Sequence, residues 1–475
     1  MTPAEPAAAT TTDLDLKATM LAMGKRAREA AAVLAQAPTK VKNAALRNAA
    51  DKLRAATDAI LAANARDIAF AMHNGNSAAM VDRTRLDPKR VEAIAKGLED
   101  VAGLSDPVGS IQAGWTRPNG LLISRVAVPI GVIGIIYEAR PNVTADAGGL
   151  CLKSGNACIL RGGQESFESS MAIVAAMRAA LAANGLPEDA IQFIPTRDRA
   201  AVGHLLKLDG YVDTIVPRGG KSLIERVMKE TRIPVIAHLE GLCHTYVHES
   251  ADIEMARKIV MNAKMRRVSV CGATETLLID RTALATHGPA ILDDLISAGC
   301  EIRGDDEVRK LDTRVVAATE ADWTTEYLDA ILAVKTVAGL DDAIAHVNKY
   351  GSHHTDAIIA GDKDAADAFL RKVDSAIVLH NASTQFADGA EFGFGAEIGI
   401  STGRLPPRGP VGAEQLTTYK YVLRGAGQTR PGHCLRPVWC CRCRRWAVAL
   451  AGAWACSVGP SIRRMTGISI SRAKR

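Results

Sequence analysis

From Leu121 onward, short β-branched runs alternate with amphipathic stretches, and this alternation constrains the fold more than any other feature. The order is "VPIGVIGIIYEA", a helical stretch through Leu150, "CILRG", a helix from Ser169, "IQFIP", a helix from Arg199, "VDTIVP", a helix from Lys221 and "PVIAHL". Apolar runs separated by helices predict parallel strands in a sheet covered on both faces. A second block places strands at "TETLLID", "RVVAAT", "AILAVKTV", "TDAIIAG" and "SAIVLHNA", with helices such as Asp341 to Tyr350 between them. The fold class is therefore α/β, with two lobes and a cleft between them. Ahead of these blocks, from Leu14 to about Gly103, apolar residues recur at helical spacing, as in Leu46, Ala50, Leu53 and Ala56. The first dozen residues, rich in Ala, Thr and Pro, read as a disordered leader.

A chain of 475 residues is too long for one core, so two or three packed domains are expected. Aromatics make up only 4% of it, which leaves Ala, Val, Ile and Leu to build the cores. The net charge of +6 is uneven: residues 431–475 carry nine Lys or Arg and no acid, and taking those nine away leaves −3 on the rest. A mildly acidic body gives no reason to expect nucleic-acid binding. Five of the ten cysteines also fall in that terminal stretch, including a lone C-x-x-C at Cys440 and Cys443. The stretch reads as an atypical, disordered tail of the kind a shifted or extended reading frame would give. Scattered cysteines elsewhere and no signal-peptide pattern point to the cytoplasm. No apolar run approaches the roughly 20 residues of a membrane span.

Cys271 follows the helical run "EMARKIVMNAKMRRVSV" and precedes a strand, a junction from which a side chain can enter a cleft. Arg266 and Arg267 lie close enough in sequence to favour its thiolate, the nucleophilic form. On position alone, a lone cysteine is more often a small buried hydrophobe. Asn142 in "YEARPNVT" stands between a strand and a helix, where its amide could stabilise an oxyanion or merely cap the helix. No G-x-G-x-x-G follows any strand. Two glycine pairs, Gly162-Gly163 and Gly219-Gly220, lie between a strand and a helix N-terminus, where phosphates bind favourably and where simple turns are also common. His353 and His354 have no neighbouring carboxylate or cysteine cluster in the sequence, so no metal is expected.

The segments "PIGVIGIIYEARPNVTADAGGLCLKSGNACILRGG", "VPRGGKSLI", "GLCHTYV", "VCGATETLLID", "WTTEYLDAILAVK", "HHTDAI" and "FGFGAEIGISTGRLPPRGPVG" together resemble the γ-glutamyl phosphate reductases, a family of the aldehyde dehydrogenase superfamily, from about Ala27 to Gln428. The resemblance implies an aldehyde dehydrogenase-like fold: a cofactor domain from 1–115 and 129–240, a catalytic domain from 241–400, and a β oligomerisation arm from 116–128 and 401–430. It implies NADPH-dependent reduction of L-glutamyl 5-phosphate, supplied by glutamate 5-kinase, to glutamate 5-semialdehyde in proline biosynthesis, by a homo-oligomer acting through a cysteine thioester.

By the same resemblance Cys271 is the nucleophile and Asn142 the oxyanion donor. Arg161, Gly162, Gly163, Gln164, Arg218, Gly219, Gly220 and Glu326 hold NADPH or NADP. His354, Asn381, Ser383 and Gln385 meet the substrate. A neutral Gln164 spares a 2′-phosphate from repulsion and favours NADPH. Gln385 stands where the family usually has arginine, and Pro406 and Pro407 replace non-proline residues. Lining "HLEGLCH" up with the superfamily "ELGG" puts either His238 or Glu240 at the position of the glutamate base, depending on the register chosen, and neither is assigned that role. The competing readings are oxidation of a free aldehyde and a non-catalytic protein on the same fold.

Overall fold

The computed structural model describes residues 13–430; the leader, the C-x-x-C and the atypical tail lie outside the described residues. The chain divides into two units, Met1–Trp115 with Ile123–Val422, and Thr116–Leu122 with Leu423–Arg475. In the second unit the described residues form tight turns, with Arg117 N–H donating to the Leu121 carbonyl and Ala426 N–H to Gln428 Oε1.

The first unit opens with helices Asp13–Leu34, Thr39–Ala55, Thr57–His73, Ala78–Thr84 and Pro88–Gly103, as the spacing predicts. The strands, in chain order, are β1 (Ile111–Thr116), β2 (Leu122–Pro129), β3 (Val132–Tyr137), β4 (Ala157–Arg161), β5 (Ile191–Phe193), β6 (Thr214–Arg218), β7 (Cys243–Val247) and β8 (Thr274–Asp280). They continue with β9 (Glu301–Gly304), β10 (Val316–Ala317), β11 (Ile331–Val337), β12 (Thr355–Ile359), β13 (Ile377–His380), β14 (Ile400–Ser401), β15 (Gly409–Pro410) and β16 (Thr417–Arg424).

Two parallel sheets dominate. The first has the order β5-β4-β3-β6 and the second β10-β9-β11-β8-β7-β12-β13. In the first sheet β3 is buried along its whole length, which explains its unbroken apolar run. Helices Asp13–Leu34, Thr39–Ala55, Pro88–Gly103 and Phe167–Ala183 share one core with this sheet. In the second sheet the pleat sorts side chains by parity. Leu277, Ile279, Val247 and Ile359 join helices Ile253–Met265 and Arg281–Ser297, while Leu278, Tyr246 and Ile358 join helices Leu340–Tyr350 and Lys363–Lys372.

Ile398, Val411, Ala413 and Leu416 return to the first lobe's core, so the second lobe is inserted into the first. A third sheet takes the order β1-β2-β16, and β14 pairs with β15.

Some expected strands differ. "PVIAHL" forms only a single bridge, Ile215 with Val235, because the chain leaves the first sheet there to cross to the second lobe. "RVVAAT" shrinks to the two residues of β10. β7 and β9 carry too few apolar residues in sequence to announce themselves, yet β7 lies beside β8 near the middle of its sheet.

Candidate active site

In the first sheet β4 and β5 lie on one side of β3 and β6 on the other, so the strand order reverses at β3. Open α/β sheets bind ligands in the crevice beyond the strand C-termini at such a point. Both glycine pairs open there, Gly162-Gly163 after β4 and Gly219-Gly220 after β6. A cleft of about 480 Å³ lies at the same place, lined by Tyr137, Glu138, Arg161, Gly163, Gln164 and Arg199 among others.

The Glu165 carboxylate folds over Gly163: a Cβ there would stand 2.0 Å from Glu165 Oε1 and would displace that side chain. That carboxylate also accepts from the Ala139 N–H. Glu138 Oε2 accepts from Gly220 N–H at 3.0 Å and braces the second pair. Arg161 is buried, and its guanidinium donates to the carbonyls of Gly162, Arg197 and Asp198, leaving Nε without a partner. Gln164 Nε2 is likewise spent on the Arg197 carbonyl, at 2.7 Å. The exposed cation of this cleft is therefore Arg199, which sequence reasoning passed over because it read only as the start of a helix.

Cys271 is half-buried and reduced, just ahead of β8. Its backbone is pinned from behind: a Cβ on Gly241 would fall 2.2 Å from the Cys271 carbonyl oxygen and 2.7 Å from its Cα. Glu326 Oε1 accepts the Gly241 N–H at 2.9 Å and fixes that glycine, and burial pushes the Glu326 carboxyl up from its ordinary value. Cys243 Sγ donates to the Cys271 carbonyl at 3.1 Å.

His238 and Glu240 have different surroundings. Donor atoms of His238, Cys271 and His354 all lie within 4.8 Å of one another, whereas Glu240 is bound by Lys221 at 2.7 Å. His238 sits on the crossing segment that replaces the expected strand. Its Nδ1 bonds the Ile400 carbonyl at 2.8 Å, so Nδ1 carries the proton and Nε2 is left as an acceptor. Burial, reinforced by Arg218, pushes the His238 imidazolium below its ordinary value, against the Ile400 hydrogen bond, Glu326 and Glu397. The His354 ring meets His238 edge to face at 5.0 Å; its Nδ1 bonds Thr355 Oγ1, and its Nε2 is buried with no partner. His353 is turned away toward Asp374.

Asn142 is exposed as the first residue of helix Asn142–Lys153. One of its amide hydrogens goes to Asp146 Oδ2 at 3.0 Å, and burial lifts the Asp146 carboxyl to about 6. Arg218 lies 3.8 Å from Glu397. Asn381, at a φ of 53°, spends its side chain on both backbone groups of Ala360, and Ser383 caps the short helix Thr384–Phe386.

Gln385 is buried and engaged with protein alone. It donates to the Ala263 and Arg267 carbonyls and accepts from Arg266, so it acts on Cys271 only through the segment leading to it. Arg266 is thereby held by Gln385. Arg140, half-buried at the end of "YEAR", has no hydrogen-bonded acceptor among the described residues. Burial and the cations Arg218, Arg83 and Arg267 push its guanidinium down, while Cys271 acts on it in the opposite sense.

Two α/β lobes with parallel sheets, with a cysteine before the central strands of one and a glycine-lined crevice on the other, define the class. The chain belongs to the aldehyde dehydrogenase family, whose model matches residues 2–297. Within that family it is 62% identical to the γ-glutamyl phosphate reductase of Paramagnetospirillum magneticum over 421 residues, 89% of this chain and 100% of the relative. It is 60% identical to the enzyme of the same name from Rhodospirillum rubrum, over 90% of this chain and 99% of that one. The crystal structure of γ-glutamyl phosphate reductase from Thermotoga maritima superposes with a TM-score of 0.85 at 44% identity, covering 87% of this chain and all of that one.

Proposed function

We propose that this chain reduces L-glutamyl 5-phosphate to L-glutamate 5-semialdehyde and phosphate, the step in proline biosynthesis that the names of its relatives imply. The observation that carries the reading is the half-buried Cys271 facing two imidazoles, in a chain 62% identical to a γ-glutamyl phosphate reductase over that relative's whole length.

His238 Nε2 accepts the Cys271 thiol proton, and the thiolate forms a C–S bond to the γ-carbonyl carbon. The second Asn142 amide hydrogen and the Cys271 backbone N–H are the donors for the tetrahedral oxyanion. Arg140 supplies positive charge for an anionic group of the substrate. The C–O bond to phosphate then breaks, phosphate leaves with the electron pair, and a thioester remains on Cys271.

The crevice residues fit a dinucleotide: Gly162 and Gly163 line the cleft without side chains, and Arg161 Nε is buried with no partner among the described residues. Gly162-Gly163, Gly219-Gly220 and Glu326 are the residues that would hold NADPH, which would supply the hydride that the acyl carbon accepts. Return of the C–S electron pair to Cys271 releases the aldehyde. Arg199 is the cation placed for a 2′-phosphate.

The boundaries proposed are a cofactor domain of 1–115 and 129–240, a catalytic domain of 241–400 and an arm of 116–128 and 401–430. The exposed Tyr419 and Tyr421 support pairing of copies through this arm, and the exposed Ile111 and Trp115 adjoin it in sequence, with the Trp115 and Tyr421 rings 6.2 Å apart. No described helix is long and apolar enough to cross a membrane, and a cytoplasmic enzyme is the reading adopted.

The test runs the reaction in reverse. Purified protein given glutamate 5-semialdehyde should reduce NADP only when inorganic phosphate is present, and Cys271→Ser should abolish the rate without loss of fold. Phosphate-independent reduction would instead make it an aldehyde oxidiser.

A further inference from the structure

The three groups around the nucleophile match the ligand set of a second kind of chemistry. His238, Cys271 and His354 each offer one donor atom, and the three lie within 4.8 Å of one another. The hydrogen bonds already made by the rings decide which atoms are available. His238 Nδ1 is engaged by the Ile400 carbonyl, and His354 Nδ1 by Thr355 Oγ1 and, at 3.5 Å, the Cys243 thiol, so each ring has Nε2 to give. His354 is 0% exposed, and its Nε2 is a buried polar atom with no partner among the described residues. Leaving such an atom unsatisfied is costly, and a bound ion would satisfy it.

We propose that His238, Cys271 and His354 form a reversible inhibitory site for a borderline-soft divalent cation, Zn²⁺ being the species that fits. Two imidazole nitrogens and a thiolate are donors that zinc accepts in a tetrahedron, whereas Mg²⁺ and Ca²⁺ require oxygen ligands. Zn–N bonds of about 2.0–2.1 Å and a Zn–S bond of about 2.3 Å would place the donors roughly 3.3–3.6 Å apart. The site therefore closes with side-chain shifts on the order of 1 Å. The partners on the two Nδ1 sides matter too: the Ile400 carbonyl oxygen orients the His238 ring as second-sphere acceptors orient zinc-binding histidines, and Thr355 Oγ1 holds the His354 ring. On binding, the Zn–S bond replaces the S–H bond and the thiol proton leaves to solvent. The sulfur lone pair needed for attack on the substrate is then held by the metal. A fourth position stays open for water, the arrangement that lets a chelator remove the ion.

As regulation, this proposal rests on the reading of Cys271 as the nucleophile; the binding itself rests on geometry alone. The test therefore measures a chemical property of Cys271 and not turnover. The full-length protein, stripped of metal, is treated with iodoacetamide at pH 8.5, near the ordinary thiol value of about 8.5. Labelling is followed at the Cys271 peptide by mass spectrometry, which keeps thiols elsewhere in the chain out of the reading. Low micromolar Zn²⁺ should slow labelling of Cys271 at least about tenfold, EDTA should restore it, and Mg²⁺ should do nothing. In His238→Gln the protection should fall by about 10-fold or more, the usual cost of disturbing a zinc site. Absence of protection in the wild type, or equal protection in His238→Gln, overturns the proposal. Failure of the reductase reading would instead show as absent phosphate-dependent NADP reduction, with zinc protection unaffected.

Discussion

Gly241→Ala tests whether the rate depends on how Cys271 is seated. A Cβ at this position would lie 2.2 Å from the Cys271 carbonyl oxygen, 2.7 Å from its Cα and 2.8 Å from its carbonyl carbon, all backbone atoms, while real Cβ atoms essentially never come within 3.0 Å. The Cys271 backbone must therefore retreat by at least about 0.8 Å, the difference between the first and last of those distances. A displacement on the order of 1 Å at a reacting group costs about 10²-fold in rate, or about 2.7 kcal/mol of transition-state stabilisation. The reverse reaction, followed as phosphate-dependent NADP reduction, should show kcat/KM down about 100-fold. NADP affinity by fluorescence titration should change much less than the rate, since the glycine pairs belong to the other lobe and only Glu326, which accepts the Gly241 N–H, links the substitution to the cofactor. Circular dichroism would establish that the variant folds. A folded Gly241→Ala enzyme within about threefold of wild type would mean that the cysteine tolerates a shift of that size, and the positioning argument would fail.

Asn142→Ala should lower kcat about 10²–10³-fold with little change in KM if its amide serves the oxyanion, and a loss confined to thermal stability would make it a helix residue only. Arg199→Ala should raise KM for NADPH roughly tenfold and leave that for NADH within about twofold, as expected for loss of a charge-assisted phosphate contact; equal effects on both cofactors would remove Arg199 from the 2′-phosphate site. Burial raises the Asp146 carboxyl from 3.8 to about 6. Between those values the folded chain holds a proton that the unfolded chain releases, so this group's contribution to stability falls as pH rises through that window. Asp146→Asn should remove that slope and raise Tm at pH 7.5 by a few degrees; an unchanged Tm profile from pH 4 to 7.5 would show that Asp146 is solvated.

The two-lobed α/β frame was legible because parallel strands buried on both faces leave unbroken apolar runs such as β3 and β8. β7 escaped notice because "CHTYV" carries a histidine and a threonine that are buried through specific partners, Asp356 and Thr274, which no local pattern reveals. "PVIAHL" has strand-like composition, but tertiary demand for a crossing overrode it. Cys271 and the glycine pairs were visible at strand ends, while the difference between His238 and Glu240 was not, since only two residues of register separate them and the Lys221 contact and the Ile400 carbonyl that set them apart are tertiary. Gln385 read as a substrate contact by analogy, and its hydrogen bonds to Ala263 and Arg267 come from residues more than a hundred positions away in sequence.

The insertion of the second lobe into the first has a consequence for synthesis on the ribosome. The first lobe's core needs Ile398, Val411, Ala413 and Leu416, so it stays unfinished until the last part of the described chain has emerged. The inserted lobe suffers no such delay, for its strands from β7 to β13 are contiguous. Its two ends also meet, with the His238 ring on the Ile400 carbonyl and Thr402 N–H on the Ala237 carbonyl. The part made second can therefore mature first, and the half-built host, with its apolar β3 and β4 uncovered on one side, is the species a nascent-chain chaperone would meet.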